Sequence, residues 1–149
     1  MGADFIDYII ADRTLVPEQS QKFYSEKIVY MPHCYQASDN SRPIPEADVS
    51  RAELGLPEAG FVFCCFNNNY KITPREFDIW MRLLTAVEGS VLWLQRSNEW
   101  AEVNLKNEAK TRGVDPGRLI FAEKCDYSEY LMRMSKADLF LDTFNYQWQ

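Results

Sequence analysis

The sequence predicts an α/β domain built on an open parallel sheet, and three observations carry that prediction. Short apolar runs at 61–66, 90–95, 118–122 and 139–142 alternate with segments of helical periodicity. Wholly apolar runs of this length suit strands covered on both faces. Their connections are short, as right-handed β-α-β crossovers require. Finally, the run Phe61-Val62-Phe63-Cys64-Cys65-Phe66 leads into Asn67-Asn68-Asn69-Tyr70-Lys71 before Thr73-Pro74 opens a helix. A polar loop between a buried strand and a helix is where such a sheet binds its ligand, because side chains and helix-start N–H groups converge there. The loop lacks the glycines of a phosphate-cradling or dinucleotide-binding turn, so amide side chains and a lysine would do that work.

Taken in order, residues 5–11 read as a strand, Pro17-Glu18 begins a short helix running to about Ser25, and 27–31 is a second strand stopped by Pro32. Residues 36–50, polar with Pro43 and Pro45, read as a linker. Ser50 and Glu53 stand at capping-box spacing ahead of Gly55 and Pro57. After strand 61–66, a helix is predicted from Pro74 to about Val87, with Phe77, Trp80, Met81, Leu84 and Val87 on one face. Strand 90–95 precedes a helix from Glu99 to about Arg112, ended by Gly113. Strand 118–122, a helix over 127–136 and strand 139–142 complete the series.

Composition narrows the function classes. With 46% hydrophobic and 14% aromatic residues, the chain is core-forming. A formal charge of -6 argues against a general nucleic-acid or membrane-surface binder, both of which need a basic footprint. No apolar run reaches the roughly 18 residues of a membrane span. Cys34, Cys64, Cys65 and Cys125 show no metal-binding or redox spacing; Cys64 and Cys65 should face opposite sides of a strand as buried thiols. One histidine excludes a histidine-rich metal centre. A reducing compartment, the cytoplasm, is the expected location.

The candidate site residues lie at the predicted carboxyl ends of the strands. Lys71 offers a point charge to a phosphate, and Asn67, Asn68 and Asn69 offer amides; equally, asparagines suit turns and the lysine could be solvated. Gln95 and Arg96 follow the second of these strands. Cys125, Asp126 and Tyr127 follow the third, where backbone groups could read a base edge and Tyr127 or Tyr130 could offer an aromatic face. Asp126 is also a natural N-cap. Asp142-Thr143 closes the fourth. The adjacent His33-Cys34 pair is weak evidence for catalysis, since catalytic partners are set by spatial geometry.

Several stretches together resemble the catalytic region of the O-GlcNAc transferase family, which includes the SPINDLY-like proteins. They are Asp7-Tyr8-Ile9-Ile10-Ala11-Asp12, Tyr24-Ser25-Glu26-Lys27, Tyr30-Met31-Pro32-His33, Phe66-Asn67 with Tyr70-Lys71-Ile72, Ser90-Val91-Leu92-Trp93-Leu94, Arg118-Leu119-Ile120-Phe121, and Ala137-Asp138 with Leu141-Asp142-Thr143. The resemblance runs in order over nearly the whole chain and is closest in style to bacterial, TPR-associated members. It implies a GT-B glycosyltransferase with two Rossmann-like lobes. Residues 1–35 would be the tail of the N-terminal lobe, 36–50 a linker, and 51–149 the first half of the C-terminal, nucleotide-sugar-binding lobe. It further implies inverting transfer of N-acetylglucosamine from UDP-GlcNAc to serine or threonine of a protein acceptor, without metal or other cofactor.

Position by position, the resemblance makes Lys71 a donor-diphosphate contact. Asn68 stands where animal enzymes have glutamine, and Cys125 where backbone groups read uracil. Tyr127 stands at a lysine near the base, Tyr130 at a histidine packing on the nucleoside, and Arg133 at an arginine of the same helix. The family's His-Thr-Thr phosphate motif and its N-lobe catalytic histidines are not among these 149 residues, and no catalytic residue is assigned. Negligible transferase activity is therefore expected of this stretch alone, with self-association through uncovered sheet. The competing expectations are a non-catalytic nucleotide- or protein-binding module on the same fold, and a related O-fucosyltransferase-type fragment using GDP-fucose.

Overall fold

A computed structural model describes residues 2–37 and 49–145. The chain divides into two compact units, Met1–Arg42 and Pro43–Gln149. The expected linker lies, over residues 38–48, outside the described residues.

In the first unit β1 (Tyr8–Ala11) and β2 (Lys27–Tyr30) pair in parallel, Tyr8 opposite Lys27. The first strand is shorter than the 5–11 expected, because the Ile6 N–H bonds back to the Ala3 carbonyl and turns the chain. The helix expected over 17–25 is a 3-10 segment, Glu18–Phe23. Asp12, buried, ends β1 by accepting N–H bonds from Thr14, Leu15 and Tyr35. Those bonds, led by Leu15 and Tyr35, hold its carboxyl below the usual aspartate range. One side chain thus satisfies three backbone donors. Phe5, Tyr8, Ile10 and Phe23 stay largely exposed.

The second unit is the predicted parallel sheet. Strands β3 (Val62–Cys65), β4 (Val91–Gln95), β5 (Leu119–Ala122) and β6 (Leu139–Phe140) lie in the order β5-β4-β3-β6, all parallel. Helices α1 (Pro74–Ala86), α2 (Glu99–Thr111) and α3 (Tyr127–Met134) follow β3, β4 and β5. Alternation along the strands sorts the side chains into two cores. Phe63, Cys65, Leu92, Leu94 and Leu119 pack with Phe77, Trp80, Met81 and Leu84 of α1 and with Ala109 of α2. Val62, Cys64, Phe66, Val91 and Trp93 pack with Leu56, and Tyr130 and Met134 of α3 join them. Helices therefore cover both faces, α1 and α2 one side and α3 the other. The vicinal cysteines split between the cores as expected.

Two caps, Ser50 with Glu53 and Asp126, are those the sequence proposes, and Asn98 is a further one. Ser50 and Glu53 form a reciprocal box, the Ser50 N–H donating to Glu53 Oε2 at 2.8 Å and the Glu53 N–H to Ser50 Oγ at 3.3 Å. Asn98 and Asp126 accept from the N–H groups of Ala101 and Glu129. Asp138 fastens the start of β6 to β3, taking the Val62 N–H at 2.8 Å and the Arg51 guanidinium at 2.8 Å. The backbone bond first, then the arginine, keeps its carboxyl below the ordinary aspartate range. Gly60, at φ 114°, sits so near Gly89 that a Cβ would come within 2.5 Å of the Gly89 carbonyl oxygen.

Candidate functional site

The strand order reverses beside β3: β4 and β5 were added on one side, β6 on the other. At such a switch point the loops leaving neighbouring strands part and open a crevice at their carboxyl ends. Asn67 and Lys71 leave β3 there, and Asp142 and Thr143 leave β6.

The three asparagines have separate jobs. Asn67 is buried, and its Nδ2 donates to Asp142 Oδ1 and to Thr143 Oγ1, each at 3.1 Å. Asn68 is exposed, and Asn69 Oδ1 accepts from the Ser97 hydroxyl at 3.0 Å. Lys71 ends a 3-10 turn, Asn69–Lys71, whose last N–H bonds to the Asn68 carbonyl. Its side chain is half-buried and belongs to no ion pair among the described residues. It lies within electrostatic reach of the Cys65 thiol. Burial pushes that thiol up to about 11, the Asn67 N–H pulls it down, Asp142 raises it and Lys71 lowers it. The lysine and the aspartate therefore both face this end of β3.

Arg96, by contrast, is committed. It pairs with Glu102 at 2.9 Å and Glu123 at 2.5 Å, tying α2 to the loop after β5, so it offers little to an anion. Arg133 donates to the Glu123 carbonyl and to Glu129, seating α3 against that loop.

Towards β5 a hollow is lined by Phe66, Gln95, Ala122, Glu123, Cys125, Tyr130 and Arg133. Its volume of about 40 Å³ suits a few waters, so an aromatic ligand would sit at its mouth. Tyr127, half exposed, stacks on Tyr130 at 6.2 Å and 28° there. Tyr130 meets Phe66 edge-on at 5.8 Å, and Phe66 meets Trp93 at 4.9 Å. Burial first, then the nearby Cys64 thiol, pushes the Tyr130 phenol up to about 12, so it stays neutral. The structure thus gathers Cys125, Tyr130 and Arg133 around one hollow, with Tyr127 stacked on Tyr130 and with Asn68 and Lys71 in the loop after β3. Among the described residues, no cluster of three or more His, Cys, Asp or Glu could hold a metal.

Sequence reasoning placed Phe66 and Gln95 at strand ends without seeing that they line one hollow, and it missed the link from Asn67 to Asp142 and Thr143. It also missed Glu76, which is 1% exposed. Glu76 accepts from the Thr73 hydroxyl and, through Oε1, from the Phe144 N–H at 2.9 Å. Thr73-x-x-Glu76 has capping-box spacing, so that signal was present in the sequence.

A doubly wound parallel sheet with a cation and an aromatic ledge near its carboxyl edge is a build that nucleotide-binding α/β domains share. The chain matches the model of Glycosyl transferase family 41 over residues 1–46 and 36–145, and it belongs to that family. It is 37% identical over 147 residues to the probable UDP-N-acetylglucosamine–peptide N-acetylglucosaminyltransferase SEC of Arabidopsis thaliana, covering 95% of this chain and 15% of that protein. It is 39% identical over 94 residues to the corresponding Caenorhabditis elegans transferase, covering 63% of this chain and 8% of the relative. A mutant O-GlcNAc transferase of Thermobaculum terrenum superposes with a TM-score of 0.73 at 26% identity, over 95% of this chain and 26% of the other. The chain thus spans a minor part of each relative's length.

Proposed function

We propose that this chain supplies part of the donor site of a protein O-N-acetylglucosaminyltransferase, one that moves N-acetylglucosamine from UDP-GlcNAc to serine or threonine hydroxyls. The observation that carries the proposal is Lys71, a cation outside every ion pair among the described residues, at the switch-point crevice of a family 41 chain. Its ammonium would meet the diphosphate, with Asn68 beside it. Tyr127 and Tyr130 would pack against the nucleoside, Cys125 would present backbone groups to the base, and Arg133 would hold α3 in place.

The ligand is a nucleoside diphosphate sugar bound without a metal. Calorimetry should show UDP binding in preference to GDP, with an affinity unchanged when EDTA is added. Preference for GDP would favour a fucosyl donor instead. Loss of binding in EDTA would defeat the metal-independent part, and a folded chain that binds neither nucleotide would leave only a scaffold. The unpaired thiols Cys34, Cys64, Cys65 and Cys125 support a reducing, cytoplasmic setting, and no helix among the described residues is long and apolar enough to cross a membrane.

The acceptor would be a protein, as the name peptide N-acetylglucosaminyltransferase says of the relatives. The exposed Phe5, Tyr8, Ile10 and Phe23 support self-association of the chain or cover by a partner. Sedimentation velocity should show concentration-dependent association; a single monomeric boundary across the range would count against it.

A further inference from the structure

We infer that Asn67 is a positioning residue: it latches the segment 142–144 across the switch-point crevice and so fixes the wall that faces Lys71. The inference builds on the donor-site reading above, but its structural half stands without it.

Side chains of three described residues contact that segment. Asn67, 3% exposed, donates one amide group to both Asp142 Oδ1 and Thr143 Oγ1. Glu76, in the first turn of α1, accepts the Phe144 N–H. The Arg75 guanidinium lies over the Phe144 ring at 5.1 Å. The ladder itself ends earlier, with the Leu141 N–H on the Cys64 carbonyl at 2.7 Å. Beyond Leu141 side chains help to hold the chain, and Asn67 reaches it from the loop after β3.

The chemistry of the latch requires an amide. Its Nδ2 serves a carboxylate and a hydroxyl together, which no carboxylate could do at neutral pH. Asn67 Oδ1 is buried with no partner among the described residues. A buried acceptor left this way is unfavourable, so a side chain chosen for stability alone would not carry one. The place of Asp142 matters to the ligand: Asp142 and Lys71 both act on the Cys65 thiol, so both charges lie at this end of β3, where a diphosphate would meet them.

The test exchanges donor and acceptor. Asn67→Asp sets two carboxylates against each other; adding Asp142→Asn restores an amide–carboxylate pair with its polarity reversed. Amide hydrogen exchange at Thr143 and Phe144 should rise about tenfold in the single variant and return to within about threefold of the parent in the double. UDP affinity should follow the same pattern, falling about tenfold and recovering. A circular dichroism melt of both variants checks that the sheet survives. If Asn67→Asp does not fold, the double variant alone decides, because only a latch predicts that the second substitution rescues it. Exchange and affinity unmoved by Asn67→Asp, or no rescue in the double, would overturn the inference. If the parent itself binds no UDP, the donor-site reading fails while the exchange measurement still decides the latch.

Discussion

Lys71→Ala is expected to weaken UDP binding by at least tenfold while leaving the affinity for uridine within about twofold. A charge-assisted contact to a phosphate contributes about 1.5–3 kcal/mol, and tenfold in Kd corresponds to about 1.4 kcal/mol. The geometry makes the loss specific. Lys71 and Asp142 both act on the Cys65 thiol at the end of β3, whereas Tyr127 and Tyr130 stack on each other in α3, the helix after β5. The two contacts are separable, so removing the cation should affect the diphosphate alone. Lys71→Arg keeps the charge but replaces a compact ammonium by a wider fork, and intermediate affinity is expected. Titration calorimetry of UDP and uridine against the parent and both variants reads this directly. Equal losses for UDP and uridine, or no loss for UDP, would remove Lys71 from the diphosphate.

The fold was legible because each part left a periodic signal. Strands buried on both faces appear as unbroken apolar runs, and α1 shows its single apolar face through Phe77, Trp80, Met81 and Leu84. The ends were less legible. Phe5 and Ile6 are as apolar as any strand residue, but a local N–H bond turns the chain before β1. Likewise, residues 141 and 142 lie past the two-residue β6. The site's positions were readable from strand ends, since the topology puts every β-α loop of a parallel sheet on one edge. What no linear pattern records is pairing across that edge. Asn67 finds Asp142 from 75 residues away. Arg96, equally plausible as an anion ligand from sequence, is taken by Glu102 and Glu123. Lys71, by contrast, belongs to no ion pair among the described residues, a difference that only the fold reveals.

Trp93→Ala is expected to lower stability by about 3–5 kcal/mol, the range for removing a large buried side chain from a close-packed core. Trp93 is 1% exposed and lies in the core that faces α3, stacked edge-on with Phe66, which in turn meets Tyr130. Its indole N–H finds no acceptor among the described residues, so the loss is one of packing and not of a hydrogen bond. Trp93→Phe removes that buried donor and keeps most of the volume, and should cost about 1–2 kcal/mol. The neighbour Leu92 supplies the control. It is equally buried but belongs to the core that faces α1 and α2. Leu92→Ala should cost about 2–5 kcal/mol, a comparable loss on the opposite face. Urea titration measures all three variants. UDP calorimetry at a temperature where each stays folded then separates the faces. Only Trp93→Ala undermines Phe66 and Tyr130, so it alone should weaken uridine as well as UDP, whereas Leu92→Ala should leave both near the parent value. If the two alanine variants lose nucleotide affinity alike, the α3 face has no special part in holding the nucleoside, and the ledge of Tyr127 and Tyr130 is not where the base packs.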